Sequence, residues 1–348
     1  MSLWQLLYEP DRWADEINKL ITNWGLQLGI PVFITQLFLM IVVAVILLSF
    51  ILLNVAFLTW LERKVAGHIQ VRHGPMRTGP HGILQPVADG IKLLFKESIT
   101  LPFVDNFIYT LSPAMMFTAA MLTYIVLPFA PGWVVAPLDY GLIFVFAAGG
   151  VSSFFVFTAG WSSNNKYSLL AGMRTIAQVI SYEIPMILAA LGVALFAGSL
   201  NLVEIVEAQK GLWNIVVQPL GFLLFLTAAL GETHRAPFDL LEAEQELVAG
   251  YMTEYSGMRF ALFYLGEYTH MFAAAALMTT LYLGGWQGPY LPPVVWFLLK
   301  AYALVLLIMW FRWTYPRIRI DHLMNFSWKF ILPLALINLG VTALVLVW

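Results

Sequence analysis

Residues 31–60 read PVFITQLFLMIVVAVILLSFILLNVAFLTW, a run without one charged side chain. A helix needs about 20 predominantly apolar residues to cross the hydrocarbon core of a bilayer. This run exceeds that length and contains no proline after its first residue. The stretch therefore predicts a transmembrane helix, and with it a membrane protein.

The overall composition agrees with that prediction. Of the 348 residues, 60% are hydrophobic and 11% are charged, whereas soluble domains are about 45–50% apolar and about 25% charged. A water-soluble enzyme is thereby excluded. The net charge of −2 argues against a nucleic-acid partner, which would require a basic surface. The lack of cysteine excludes disulfides, cysteine-ligated iron–sulfur clusters and thiolate zinc sites in this chain.

Eight stretches are long and apolar enough to predict transmembrane helices. They are residues 31–60, 107–128, 140–160, 182–198, 215–230, 260–283, 294–313 and 328–348. The predicted fold class is all-α, with a single eight-helix membrane domain over residues 31–348. Residues 1–30 carry too many acidic side chains for a cleavable leader, and their apolar residues recur at helical spacing. We expect an amphipathic segment on the outer membrane surface there.

Basic residues fix the expected orientation of the spans. Most of the 18 fall after the first, third, fifth and seventh spans: Arg63, Lys64, Arg72, Arg77, Lys92, Lys96, Lys166, Arg174, Arg235, Arg259, Arg312, Arg317, Arg319 and Lys329. Lys and Arg collect on the cytoplasmic side of membrane proteins. The long loops are therefore predicted to face the cytoplasm and both termini the periplasm, in a bacterial inner membrane.

The loop between the fifth and sixth spans is acidic, although its side of the membrane otherwise collects basic residues. Asp239, Glu242 and Glu246 are spaced to share one face of a helix that begins at Pro237, and Glu244 points nearly opposite. In a dry site, such neighbouring carboxylates would bind protons near neutral pH. A solvated acidic helix that docks on a basic partner explains this loop equally well.

Two further carboxylates lie within predicted spans. Glu183 opens the fourth span and Glu267 lies in the sixth, one turn from His270. A charged group at the bilayer centre costs about 2.5–3.5 kcal/mol on insertion scales, so such groups are retained for pairing, ion paths or proton relays. Either Glu267 forms a buried pair with His270 or lies near the inner membrane interface, or both acids continue a proton path from the inner loop. The proton path is favoured by the number of acids.

The chain offers little for redox chemistry of its own. Of its six histidines, His270 alone lies clearly inside a span, which argues against a haem held between two histidines. Motifs for zinc and for nucleotide phosphates are absent. Any electrons must therefore come from another polypeptide.

Four inner-loop segments resemble a known family. They are ERKVAGHIQVRHGPMRTGPHGILQPVADGIKLLFKE (62–97), WSSNNKYSLLAGMRTIAQVISYE (161–183), ETHRAPFDLLEAEQELVAGYMTEYSG (232–257) and RWTYPRIRIDHLMNFSWK (312–329). Together they resemble the H subunit of proton-translocating NADH:quinone oxidoreductase, the counterpart of NADH dehydrogenase subunit 1 of mitochondrial complex I. The resemblance runs from about residue 31 to the end of the sequence.

The resemblance implies a membrane subunit that walls a quinone chamber and connects it to proton pumping in neighbouring subunits. Quinone is then the substrate, and FMN and iron–sulfur clusters are expected in partner subunits of the membrane and peripheral arms. The implied proton-path residues are Asp239, Glu242, Glu244, Glu246, Glu183 and Glu267, and the implied chamber residues are Arg63, Arg72, Arg235 and Arg317. Met76 and His234 depart from the family, which usually has Asn at both positions.

Three other functions compete with this interpretation. The membrane subunit of an energy-converting hydrogenase is homologous but binds no quinone, and the intact EAEQE run of residues 242–246 counts against it. A stand-alone cation/proton antiporter predicts an inverted internal repeat, and the sequence contains none that we detect. A purely structural anchor leaves Glu183 and Glu267 unexplained.

Overall fold

The computed structural model describes residues 31–239 and 248–347, and these residues contain helices and turns but no β-strand. The helices are α1 (Val32–Ile69), α2 (Gln85–Phe95), α3 (Asn106–Val126), α4 (Gly141–Ser162), α5 (Lys166–Ala197), α6 (Leu202–Ala208), α7 (Asn214–Val217), α8 (Pro219–Glu232), α9 (Gly257–Tyr282), α10 (Pro293–Thr314), α11 (Ile320–Phe326) and α12 (Leu332–Val347). A π-helical turn, Ser327–Ile331, joins α11 to α12. The predicted N-terminal amphipathic segment lies outside the described residues.

Six helical segments are long and apolar enough to cross a membrane, which confirms a polytopic, all-helical membrane protein. They are Val32–Ile69, Asn106–Val126, Gly141–Ser162, Lys166–Ala197, Pro293–Thr314 and Ile320–Val347. The other two predicted spans coincide with α8, which has 14 residues, and with α9, which has 26 residues but is less apolar. The total of eight spans therefore stays a prediction.

Two predicted spans are shorter than the corresponding helices. The first span continues to Ile69 instead of ending at residue 60, and the fourth begins at Lys166 instead of residue 182. Asn165 caps the start of α5, because its side-chain oxygen accepts a hydrogen bond from the backbone N–H of Tyr167 at 2.9 Å. The charged residues at these helix ends had made the two segments resemble loops. Because α5 begins at Lys166, Glu183 lies in the middle of a helix and does not open one.

Close helix packing depends on small residues where α4 meets α5. A Cβ added to Gly160 would lie 2.5 Å from the backbone oxygen of Ser168. Such a distance is well inside van der Waals contact, so this part of α4 can approach α5 only with glycine. The core of the bundle then forms around buried aromatic side chains such as Phe225, Phe272 and Tyr282.

The C-terminal end of α9 is held by a buried lysine of α10. The Nζ of Lys300 donates hydrogen bonds to the backbone oxygens of Leu283 at 2.6 Å, Gly285 at 3.1 Å and Gln287 at 2.6 Å. It also lies 4.2 Å from the ring centroid of Trp213. A cation at this position satisfies carbonyl groups that the end of a helix leaves without partners. The loop after α9 is thereby fixed to α10.

We expect Gly160→Ala to destabilise the protein, because its methyl group must displace the α5 backbone. The expected loss is about 2 kcal/mol, as for other overpacked cores, and it is measured as a lower melting temperature of the purified protein in detergent. Gly90→Ala in α2 is the matched control, since a Cβ there has nothing within 4 Å and alanine favours helix over glycine. Equal melting of the two variants would contradict the close approach of α4 and α5.

Candidate functional site

The turn after α8 directs a short polar segment, residues 233–239, into the protein. The backbone N–H of Thr233 donates to the Ala229 oxygen at 2.9 Å, and that of Arg235 donates to the Leu230 oxygen at 3.3 Å. His234 between them has a positive φ of 53°. This combination is a Schellman-type end of a helix. It reverses the chain so that Arg235 points back between the helices.

The predicted helix does not begin at Pro237, because residues 237–239 form a turn. Their carbonyl groups have other partners: Ile318 donates its N–H to the Pro237 oxygen at 3.0 Å, and the Gln178 side chain donates to the Phe238 oxygen at 2.7 Å. These hydrogen bonds attach the segment to α5 and to the segment between α10 and α11. Glu242, Glu244 and Glu246 lie outside the described residues.

Arg235 is the centre of a buried ionic cluster. Its side chain is 1% exposed, and its Nη1 lies 3.0 Å from both carboxylate oxygens of Glu62 on α1. Its Nη2 lies 3.0 Å from Oε1 of Glu267 on α9, and its guanidinium covers the Tyr268 ring at 4.7 Å from the centroid. Arg312 of α10 also donates a hydrogen bond to Glu62. The cluster thus joins three helices and one loop and contains two charges of each sign.

The cluster keeps Arg235 charged even though water does not reach it. Burial alone would lower the pKa of its guanidinium, but Glu267 and Glu62 hold that pKa above its ordinary value. Removing several charges from water costs several kcal/mol per ion, and the cost is offset only when every charge has close partners. Arg235 is therefore a permanent positive charge inside the bundle.

A second ion pair leads from this cluster toward the protein surface. The Nη2 of Arg317 lies 3.4 Å from Oδ2 of Asp239, and the Arg317 side chain is 38% exposed whereas that of Asp239 is 12% exposed. Asp239 is four positions after Arg235 in the same polar segment. The described acids and bases thus extend from the exposed end of the segment to the buried cluster.

An internal cavity of about 60 Å³ borders the cluster between α3, α4, α8 and α9. Its polar lining includes Ser152, Glu232, His234, Asp239, Glu267 and His270. A water molecule needs roughly 10–15 Å³ of such space together with polar partners, so the cavity has room for about four. The His270 ring Nε2 forms a hydrogen bond of 2.6 Å with the Ser152 hydroxyl, and Glu267 pairs with Arg235. Glu267 thus pairs with Arg235 and His270 with Ser152, so the alternative of a pair between Glu267 and His270 is wrong.

Two adjacent glycines of α4 make room for two carboxylates. A Cβ on Gly149 would lie 3.0 Å from Oε1 of Glu232, and a Cβ on Gly150 would lie 3.3 Å from Oε1 of Glu183. Glu183 comes from α5 and Glu232 ends α8. The glycine pair therefore allows carboxylates from two other helices to approach the same turn of α4.

Comparison with known proteins identifies the family. The family model described as NADH dehydrogenase matches residues 42–343. The chain is 51% identical to the H subunit of the NADH-quinone oxidoreductase of Dehalococcoides mccartyi strain CBDB1 over 304 residues, which cover 87% of this chain and 86% of that protein. The chain belongs to the family of NADH-quinone oxidoreductase H subunits. It is thus a membrane subunit of that enzyme, and it has no cysteine.

Two further H subunits show the same degree of similarity. The protein of Carboxydothermus hydrogenoformans is 47% identical over 313 residues, covering 89% of each chain. That of Geobacillus kaustophilus is 50% identical over 307 residues, covering 87% of this chain and 92% of the relative. The similarity to these proteins therefore extends over most of the sequence.

The structure brings some of the predicted site residues together and leaves others apart. Arg235, Glu267, Asp239 and Arg317 belong to the cluster or its extension. Glu183 does not line the cavity; its carboxylate lies next to Gly150 of α4, adjacent to Gly149, which the cavity-lining Glu232 approaches. Arg63 is exposed near the C-terminal end of α1 and pairs with Asp89 at 2.6 Å. Arg72 is exposed in the loop after α1 and donates to Gln70 at 2.7 Å.

Three residues of this region were not among the predicted sites. Glu62 and Arg312 lie near the ends of apolar helices, where a charge is ordinarily explained by contact with water or headgroups. Glu232 was counted only as part of an acidic loop. The sequence signal for Glu62 would have been the continuation of α1 beyond it. Because the helix runs on to Ile69, Glu62 lies on its buried side and faces the bundle.

We expect Arg235→Met to destabilise the protein strongly, since Glu62 and Glu267 would keep their negative charges without their central partner. Breaking a buried pair in this way costs about 3–5 kcal/mol. Lys210→Met is the matched control, because its pair with Glu207 is exposed and 3.8 Å long and such pairs contribute about 1 kcal/mol or less. The measurement is the melting temperature in detergent, and similar losses in both variants would contradict the central role of Arg235.

His234 is expected to make stability depend on pH. Burial, together with nearby His270, lowers the pKa of His234 to about 4 from an ordinary 6.5. The unfolded chain therefore binds a proton that the folded chain does not, and stability falls as the pH decreases from about 7 toward 4. His234→Asn should reduce the fall in melting temperature between about pH 7 and pH 5. An unchanged pH dependence in this variant would show that His234 titrates normally in the folded protein.

Proposed function

We propose that the chain walls part of a quinone chamber and couples quinone reduction to proton translocation through an acidic path. The observation that carries this proposal is the buried Arg235, bridged to Glu62 and Glu267 beside a polar cavity. A purely structural anchor would gain more from apolar residues of similar volume, since buried ion pairs contribute little net stability. The retained charges support a function that depends on charge.

The first step takes place at the Asp239 end of the polar segment, where Asp239 pairs with Arg317. Quinone reduction consumes protons along with the electrons that iron–sulfur clusters of partner subunits supply, and the FMN of those partners accepts the electrons from NADH. Proton consumption changes the charge near the Arg317–Asp239 pair, which is partly exposed. Glu242, Glu244 and Glu246 follow Asp239 in the sequence, and we assign them to the same part of the path.

The second step carries the change into the bundle. A proton taken up or lost at Asp239 alters the field at Arg235, which shares its charge between Glu62 and Glu267. At short range inside a protein such interactions are weakly screened. Glu267 and Asp239 both line the cavity, so water there connects them to Glu232 and, beyond it, to Glu183. Pumping then follows in neighbouring membrane subunits.

The exposed arginines and the orientation complete the proposal. Arg63, near the end of α1, and Arg72, in the loop after it, are assigned to the opening of the chamber, where their charges orient the quinone head group and peripheral partners. Residues 31–348 form one membrane domain in the bacterial inner membrane, with the long loops in the cytoplasm and both termini outside. The partners are the other membrane and peripheral subunits, the quinone and the surrounding lipid.

We expect Asp239→Asn to slow NADH oxidation by quinone while leaving NADH oxidation by ferricyanide unchanged. Ferricyanide takes electrons before the quinone, so its rate reports assembled enzyme without the coupling step. Loss of a positioned proton-transferring group typically costs about 10²–10⁴-fold in rate, and less where water substitutes for it. The measurement compares both rates in membranes that carry the whole complex.

Asp321→Asn is the control for this experiment, because Asp321 is an exposed carboxylate paired with Arg319 at 3.0 Å in the first turn of α11. It should leave both rates as they are in the wild type. Normal quinone-linked rates with Asp239→Asn would make Asp239 a structural residue and would remove it from the path. Loss of both rates would mean that the complex does not assemble.

A further inference from the structure

His234 occupies a backbone position that glycine and asparagine adopt more easily. It has a φ of 53° in the Schellman-type turn that ends α8. At this position of a helix end, glycine is usual and asparagine is the common alternative, because other side chains are strained in the left-handed region. Either residue would form the same turn more easily. Its conformation therefore does not explain why a histidine is present.

The ring of His234 also has an unsatisfied polar atom. Its Nδ1 is buried and has no hydrogen-bond partner among the residues that the structure describes. Leaving a buried polar atom unpaired costs about 1–3 kcal/mol. The ring borders the 60 Å³ cavity, and water there would supply the missing partner. Backbone strain and an unpaired nitrogen thus occur together at a residue beside a space for water.

Titratable groups from several elements face this cavity. Glu232 comes from α8, Glu267 and His270 come from α9, and Asp239 comes from the same segment as His234. Tyr251 lines it from the turn before α9, and the charged Arg235 follows His234 directly in sequence. His234 therefore lies between Glu232 and Asp239 in the sequence, and all three line the same cavity.

We propose that His234 relays protons in this chain between Asp239 and Glu232 through the water of the cavity. The inference rests on the proposed function and adds to it a residue where the family usually has asparagine. A water molecule delivers a proton to the free nitrogen of the imidazole, and the other nitrogen releases its own proton to the next water. No electrons move, and a ring turn restores the first tautomer.

The chemistry of imidazole suits this role better than that of an amide. Neutral imidazole has one donor and one acceptor nitrogen, so it both accepts and releases a proton. The lowered pKa of His234 keeps the ring neutral between transfers, so the relay returns to a state without net charge. An asparagine amide hydrogen-bonds to water but does not accept a proton at these pH values.

The test uses His234→Asn and His234→Gly in membranes that carry the whole complex. Both residues fit the positive φ, so a purely structural role predicts equal or better stability and unchanged turnover. The relay predicts unchanged ferricyanide reduction, with quinone-linked proton pumping slower in both variants by about 10²-fold, the lower end for a lost proton-transferring group. The loss should grow as the pH rises from about 6 to 9, and the solvent deuterium isotope effect on quinone-linked turnover should increase.

His322→Asn is the matched control, because His322 is exposed on α11 and its replacement should change none of these rates. Wild-type pumping, pH profile and isotope effect in both His234 variants would overturn the relay. If Asp239→Asn still slows quinone-linked turnover in that case, the acidic path survives and only the relay fails. If Asp239→Asn is also without effect, Asp239 is removed from the path and the acidic path proposed from the polar segment fails together with the relay.

Discussion

Arg235 carries its charge where water does not reach it, and the surrounding helices are arranged around that charge. Glu62 on α1 and Glu267 on α9 bind opposite sides of its guanidinium, Tyr268 covers its face, and Arg312 supplies the second positive charge. Removing Arg235 takes from Glu267 the cation that it pairs with and from Glu62 one of its two, and breaking buried pairs in this way costs about 3–5 kcal/mol. This requirement fixes the position of the polar segment after α8 relative to three helices.

A cluster of this kind gives the protein electrostatic sensitivity rather than stability. Because Arg235 stays protonated, a change of charge at Asp239 or Glu267 cannot be cancelled by proton loss from the guanidinium. In the proposed path the change is met by nearby groups that exchange protons, and Glu232 and His234 line the same cavity. The paired glycines of α4 extend this space toward Glu183.

The sequence allowed the helices to be predicted better than their connections. Long apolar runs determine spans because the bilayer sets their length, and Glu183 and Glu267 are conspicuous because charges are rare within such runs. Glu62 and Arg235 are 173 positions apart, and no local pattern indicates that they meet. The predicted helix start at Pro237 was wrong, since residues 237–239 are not helical and distant Gln178 and Ile318 donate to the oxygens of Phe238 and Pro237. Periodicity contains no information about such distant donors.

The two attachments of α9 restrict how this helix can move. Near its middle Glu267 is bound to Arg235, and beyond its end Lys300 binds three backbone oxygens of the following loop. A helix held at two points cannot slide along its axis without breaking one attachment. His270 lies between these two points and is itself bound to Ser152 of α4. In mechanical terms, a force along the axis of α9 would be transmitted through Lys300 to α10 and would not displace α9 by itself.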